Sequence, residues 1–156
     1  MQREVSISMK PETNVDLLEG VSSVAESILE HIADAVVFAD DTGTIRRWNR
    51  AAAALFGYTT AEALGQRVDL IIPERLRPAH WRGFAAAMTS GALKLSGHPT
   101  VTRAMHRTGR KLYVEMTFAL VTADTEGPPL GAVAVARDVT ERIEQQRAEG
   151  RPHQAE

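Results

Sequence analysis

His80 is the residue whose type and setting most suggest chemistry. It stands in Pro-Ala-His-Trp-Arg-Gly-Phe (78–84), which reads as the start of a helix. Leu76, Ala79, His80, Gly83, Phe84, Ala87 and Met88 follow the spacing of a core-facing stripe, while Arg75, Arg82 and Thr89 fall elsewhere on the wheel. The imidazole is therefore expected to point inward. An inward histidine has two readings. One is a core side chain satisfied by a single backbone hydrogen bond. The other is an axial ligand to haem iron, because neutral imidazole is a common nitrogen ligand and a pocket of small, apolar side chains can hold a macrocycle.

Other chemistry has little support. The sequence lacks a Walker loop, Gly-x-Gly-x-x-Gly, His-Glu-x-x-His and a Gly-x-Ser-x-Gly nucleophile turn. It has no cysteine, which excludes disulfides, thiolate metal sites, cysteine nucleophiles and cysteinyl cofactor adducts. Asp40-Asp41-Thr42-Gly43 reads as a hairpin turn rather than a carboxylate pair, and Arg46, Arg47 and Arg50 as a solvated face rather than a phosphate site. A net charge of -2 supplies no basic face, so nucleic acid is not an expected partner. No run of eighteen or so apolar residues and no secretory leader is seen, so neither a membrane nor export is expected and the location is read as cytoplasmic.

With 156 residues and 44% hydrophobic content, the chain suits one domain with polar ends. Residues 1–13 read as a disordered tail. An amphipathic helix over 14–32, capped by Asn14, carries Val15, Leu18, Val21, Val24, Ile28 and Ile32 at helical spacing. That apolar face can cover the domain or pair with a second copy. The domain proper is read over 33–139. Ala35 to Ala39 and Thr44 to Trp48 form a hairpin; Asn49 caps a helix ending at Gly57; Thr59 with Glu62 makes a capping box for a helix stopped at Gly65. The helix bearing His80 starts at or just before Pro78 and ends near Gly91. Strands follow over Val101–Arg107, Lys111–Thr122 and Leu130–Arg137. Leu112, Val114, Met116, Phe118 and Leu120 are expected to face the core, and the small residues of the last strand leave volume beside it. Asp138 and Glu141 are expected to cap a charged C-terminal helix, which with its tail occupies 140–156. The expected class is α+β: a five-stranded antiparallel sheet with short helices on one face and flanking helices at both ends.

Five motifs carry a family resemblance: Ile-Arg-Arg-Trp-Asn (45–49), Leu-Phe-Gly-Tyr (55–58), Glu-Ala-Leu-Gly (62–65), Arg-Thr-Gly-Arg (107–110) and Arg-Asp-Val-Thr-Glu-Arg (137–142). In this order of elements, the chain resembles the PAS domain over about residues 24–142. Pro73, Glu74, Arg77 and His80 also resemble the Pro-Glu-x-x-Arg-x-x-His run of haem-binding FixL-type oxygen sensors, in which the histidine ligates iron.

The resemblance implies haem b on His80 as metal ligand, with Phe84, Thr100, Met116, Phe118, Ala132 and Ala134 around the cofactor or its ligand. The FixL-type pattern places an oxygen-binding arginine on the following strand, and Thr100 stands there instead. A threonine hydroxyl is a shorter and weaker donor than a guanidinium, so carbon monoxide, nitric oxide or iron redox state join oxygen as candidate signals. Met116 reads either as a sixth ligand or as core packing, with His98 and Met105 as weaker alternatives. Trp81 lies about 100° around the helix from His80 and reads as packing or interface.

The implied function is a stand-alone sensory module for a diatomic gas or other small ligand. Its signal leaves through the flanking helices, by homodimerisation or to a partner in trans. The alternatives are a cofactor-free or metabolite-binding interaction module, and a haem enzyme, for which only His98 and His106 offer acid or base groups.

Overall fold

The computed structural model describes residues 14–94 and 97–150; of residues 14–22 it describes the backbone course alone. The expectations for the tail at 1–13, the last six residues, and Val15, Leu18 and Val21 fall outside the described residues and side chains.

The elements run α1 (Asn14–His31), β1 (Ala35–Asp40), β2 (Ile45–Trp48), α2 (Arg50–Phe56), α3 (Thr60–Ala63), two 3₁₀ turns (Val68–Ile71 and Glu74–Leu76), α4 (Arg77–Ser90), β3 (Thr100–Met105), β4 (Lys111–Thr122), β5 (Pro129–Asp138) and α5 (Thr140–Ala148). The five strands form one sheet in the order β2-β1-β5-β4-β3, with every neighbouring pair antiparallel. The first and last strands are thus adjacent at its middle.

Local chemistry sets the boundaries. The Asn49 side chain accepts from the Ala52 N–H at the start of α2, and Gly57 ends that helix at φ 83°. Thr59 and Glu62 form a reciprocal capping box on α3. In the hairpin turn, the Asp40 carboxylate accepts from Thr42 N–H and Oγ1, Thr44 N–H and Arg46 Nε. Partial burial opposes ionisation there, but these donors outweigh it and lower the pKa to about 2. Arg46, Arg47 and Arg50 lie on an exposed face and pair with Asp40, Glu26 and Glu30.

Several observed boundaries lie one or two residues from those expected, and two of the differences have a plain physical cause. β3 stops at Met105, because Arg107 N–H turns away to Phe56 O and His106–Gly109 closes a tight turn. No capping box forms at α5. Asp138 still pairs with Val114 in the sheet, and its Oδ1 accepts from Thr140 N–H at 2.9 Å, while Glu141 accepts from Gln145 within the helix.

The core lies between the sheet and α2, α3 and the 3₁₀ turns, with Ile45, Phe56, Leu112 and Val114 fully buried. Met116 is also buried, whereas Phe118 and Leu120 are half-buried toward the far end of β4. β5 decides the shape of the interior. Ala132, Ala134 and Ala136 share one face, Val133 and Val135 the other, so the middle of the sheet offers only methyl groups to the helices. Gly131 lies so close to Ala39 O and the Phe38 ring that a Cβ there would overlap both.

Asn49 ties these layers together. Its Oδ1 also accepts from Val36 N–H, and its Nδ2 donates to Leu29 O and Asp34 O, joining α1, β1 and α2 at one buried amide. At the same end of the sheet, Tyr113 N–H donates to Thr140 Oγ1 and Ile143 of α5 is buried near β4. None of the described helices is long and apolar enough to cross a membrane.

Candidate functional site

α4 lies over the face of the sheet that β5 leaves shallow, and a cavity of about 340 Å³ remains between them. Ala87 is the only fully buried residue of this helix. The expected stripe therefore faces a void rather than a packed core. Leu76, His80, Phe84 and Met88 are half-buried, and Ala79 and Gly83 are exposed.

All seven residues singled out from the sequence line this one cavity. His80 and Phe84 project from α4, Thr100 from the edge strand β3, Met116 and Phe118 from β4, and Ala132 and Ala134 from β5. The register explains their convergence, since Thr100 pairs with Met116 and Phe118 with Ala134. His98 is exposed, and neither it, Met105 nor His106 reaches the cavity; His106 Nδ1 instead lies 2.9 Å from Thr108 Oγ1.

Leu76 and Ala79 of the expected stripe also line the cavity, with residues that sequence reasoning missed: Val37 and Ala39 of β1, Val68, Ile71 and Ile72 before α4, and Thr102, Arg103 and Ala104 of β3. Strand alternation carries the signal for several of them. Once Thr100 faces inward, Thr102 and Ala104 must do so too, as must Val37 and Ala39 together.

The His80 Nε2 atom is buried and has no hydrogen-bond partner. Such an atom is rare, because an unsatisfied buried polar group costs roughly 1–3 kcal/mol. Aromatic rings frame the imidazole: Trp81 meets it edge-on at 4.8 Å and Phe84 lies nearly parallel at 6.1 Å between centroids. Burial pushes the imidazole pKa down; the Asp69 carboxylate partly opposes this, and the Arg67 guanidinium adds to it. The ring is consequently neutral at neutral pH, the state in which a histidine can give a lone pair to a metal.

Among the described residues, no three His, Asp or Glu side chains gather as a metal site. A lone imidazole suits an ion whose other ligands arrive with it, as the four nitrogens of a porphyrin do. Besides His80, the polar residues on the cavity wall are Thr100, Thr102 and Arg103. A second, open cleft of about 220 Å³ lies between α1 and β2; its Arg47 and Glu26 are paired with each other at 2.7 Å.

The family model for the PAS fold matches residues 29–144. The chain belongs to the PAS family. It is 29% identical to Sensor protein FixL of Bradyrhizobium diazoefficiens over 120 residues, covering 77% of this chain and 23% of that protein. It is 27% identical to Oxygen sensor protein DosP of Escherichia coli over 117 residues, covering 75% of this chain and 14% of that protein. The PAS-family chain thus spans less than a quarter of the length of these two curated relatives. Among solved structures, the PAS domain of a protein from Colwellia psychrerythraea superposes with a TM-score of 0.67 at 21% identity, covering 78% of this chain and 99% of that one. The five-stranded antiparallel sheet with its helices is the architecture that PAS neighbours share.

Proposed function

We propose that this PAS module binds haem b through His80 and senses a diatomic gas or the iron redox state. The observation that carries the reading is His80, whose buried Nε2 has no hydrogen-bond partner among the described residues and which lines a cavity with Ala39, Ala104, Ala132 and Ala134 on its sheet side. The chemistry of the lining fits the group: a neutral imidazole for the metal, a largely apolar wall for the macrocycle, and Thr100, Thr102 and Arg103 of β3 as the other polar residues beside it. At about 340 Å³, the cavity sits near the small end of ligand pockets, which run roughly 300–1,000 Å³, so a porphyrin requires α4 to move outward. That helix holds little buried surface, so its displacement is inexpensive. Similarity to FixL and to the oxygen sensor DosP supports the same reading.

Haem supplies a redox-active iron with a position open to a small ligand. The residues of this chain do the remainder. His80 would hold the metal, Ala132 and Ala134 leave room for the ring, and Phe84, Met116 and Phe118 exclude water from it. Thr100 offers a single hydroxyl to a bound ligand. With no carboxylate on the lining, the site suits binding rather than turnover. We place the module in the cytoplasm, passing its signal to a partner through α1 and α5, which join the sheet at β1 and β5.

The test is reconstitution with haemin. A Soret band that shifts on reduction and on carbon monoxide is expected, and it should collapse or move in His80→Ala. A spectrum unchanged by that substitution refutes the reading.

A second reading, a cofactor-free or small-metabolite-binding module acting through homodimerisation, draws on two observations. The cavity matches a compact apolar ligand in size, and Val24 and Ile28 of α1, with Ile32 just after it, are 60%, 57% and 37% exposed. Colourless protein after haemin treatment would favour it.

A further inference from the structure

Trp81 makes a set of contacts that neither packing nor exposure alone accounts for. Its indole lies on the turn between β1 and β2, against Gly43, where any Cβ would overlap the six-membered ring. Gly43 also has φ 80°, so the turn needs glycine for its backbone and the indole needs it for space. On the same ring, the Arg67 guanidinium sits 4.1 Å from the centroid, and the Trp81 Nε1–H donates to Asp69 Oδ1 at 2.9 Å. Arg67 closes the set by donating to Asp69 Oδ2 at 3.3 Å and to Thr42 O at 3.2 Å.

These contacts fall at the first turns of α4, beside His80. Arg77 reinforces them by donating from Nε to Ile72 O and from its terminal nitrogen to Asp69 O. Beyond Trp81, the helix has one fully buried side chain, Ala87. Rotation of α4 about its axis by one residue would carry the His80 side chain roughly 100° away from the cavity it lines. The indole with its three partners, the Arg77 hydrogen bonds and buried Ala87 oppose that rotation.

We propose that Trp81 is the positioning residue for His80: held by Asp69, Arg67 and the Gly43 surface, it fixes the rotation of α4 so that the imidazole stays on the cavity wall. The inference rests on His80 being the working group of the site, whether the occupant is haem or another ligand. It also assigns a role to the hairpin turn, which becomes the fixed seat of the ligand-bearing helix.

Three variants of the whole chain test it: Trp81→Phe, which keeps a ring but removes the N–H; Asp69→Ala, which removes the acceptor; and Asp69→Asn, which removes the charge and keeps an acceptor. In protein without added cofactor, NMR of the imidazole ring, assigned with His80→Ala, should show the His80 resonances displaced and broadened in the first two. In Asp69→Asn they should return close to wild type, because the amide oxygen still receives the indole N–H. Haemin titration should show binding about tenfold weaker in the first two and rescue in the third.

Undisplaced His80 resonances in both Trp81→Phe and Asp69→Ala overturn the positioning role, even where haemin binds. Absence of any His80-dependent haemin spectrum in the wild type refutes the haem reading instead, and the NMR comparison then decides the role of Trp81. Should Trp81→Phe fail to fold, Asp69→Ala, at a partly exposed carboxylate, decides by the same criterion.

Discussion

Replacing His80 by leucine should stabilise the protein when no cofactor is present. The Nε2 atom is buried without a partner, and removing that atom relieves a penalty of about 1–3 kcal/mol. Against this stands the loss of the ring contacts to Trp81 and Phe84, worth about 0.5–1.5 kcal/mol. Leucine adds apolar burial against Phe84 and Met116 in the same volume. The balance is a gain of about 1 kcal/mol, which at a urea slope of about 2 kcal/mol/M raises the unfolding midpoint by about 0.5 M.

The pH dependence supplies a second signature. Burial lowers the pKa of His80 in the folded state, with Asp69 opposing and Arg67 reinforcing the shift, below the 6.5 of the unfolded chain. Between the folded and unfolded values, the unfolded state binds more protons, so the wild type loses stability as pH falls below 6.5. His80→Leu removes this contribution. The stability gap between variant and wild type should widen from pH 8 to pH 5, as read by urea unfolding at each pH. A variant that is less stable than wild type by 1 kcal/mol or more, or a gap that stays flat with pH, refutes the argument. The expected result would mean that the site is retained at a thermodynamic cost, as binding groups are.

Asn49→Ala removes a helix cap and leaves three further backbone groups without their partner, so a loss of about 3 kcal/mol is expected, with faster hydrogen exchange at the end of α1. Denaturation showing a loss below 1 kcal/mol would mean that water replaces the amide. On the second reading, in which the chain self-associates through α1, Val24→Glu should lower the solution mass by light scattering, while unfolding of the monomer changes by no more than about 0.5 kcal/mol, because the side chain is 60% exposed. An unchanged mass removes α1 from the self-association surface.

Most of the scaffold was legible because its signals are local. Asn49, Gly57, Thr59 and Glu62 act within a few residues of themselves, so their caps could be read directly. Alternation of alanine with valine in β5 announced a hollow beside the sheet, and the spacing around His80 brought the imidazole to it. What escaped depends on contacts between distant segments. The end of β3 is set by Phe56 O, and the seat of Trp81 by Gly43; neither leaves a trace in the adjoining residues. Helical periodicity also overstated the burial of α4. It identifies which side chains share a face, but Ala79 and Gly83 are exposed because that face spans an opening.

The Asp34 carboxylate receives two hydrogen bonds from Arg137, at 2.9 and 2.8 Å, and so clasps the approach to β1 to the end of β5. Because those two strands are direct neighbours, the backbone of the module is nearly a closed loop. Joining its two flanks with a short tether and opening it instead at the Asp124–Gly127 turn would preserve every strand pairing. In a larger protein carrying such a unit, this geometry would let a twist of one flanking helix reach the other through the β1–β5 pair and its Asp34–Arg137 clasp, with the outer strands beside the line of force rather than within it.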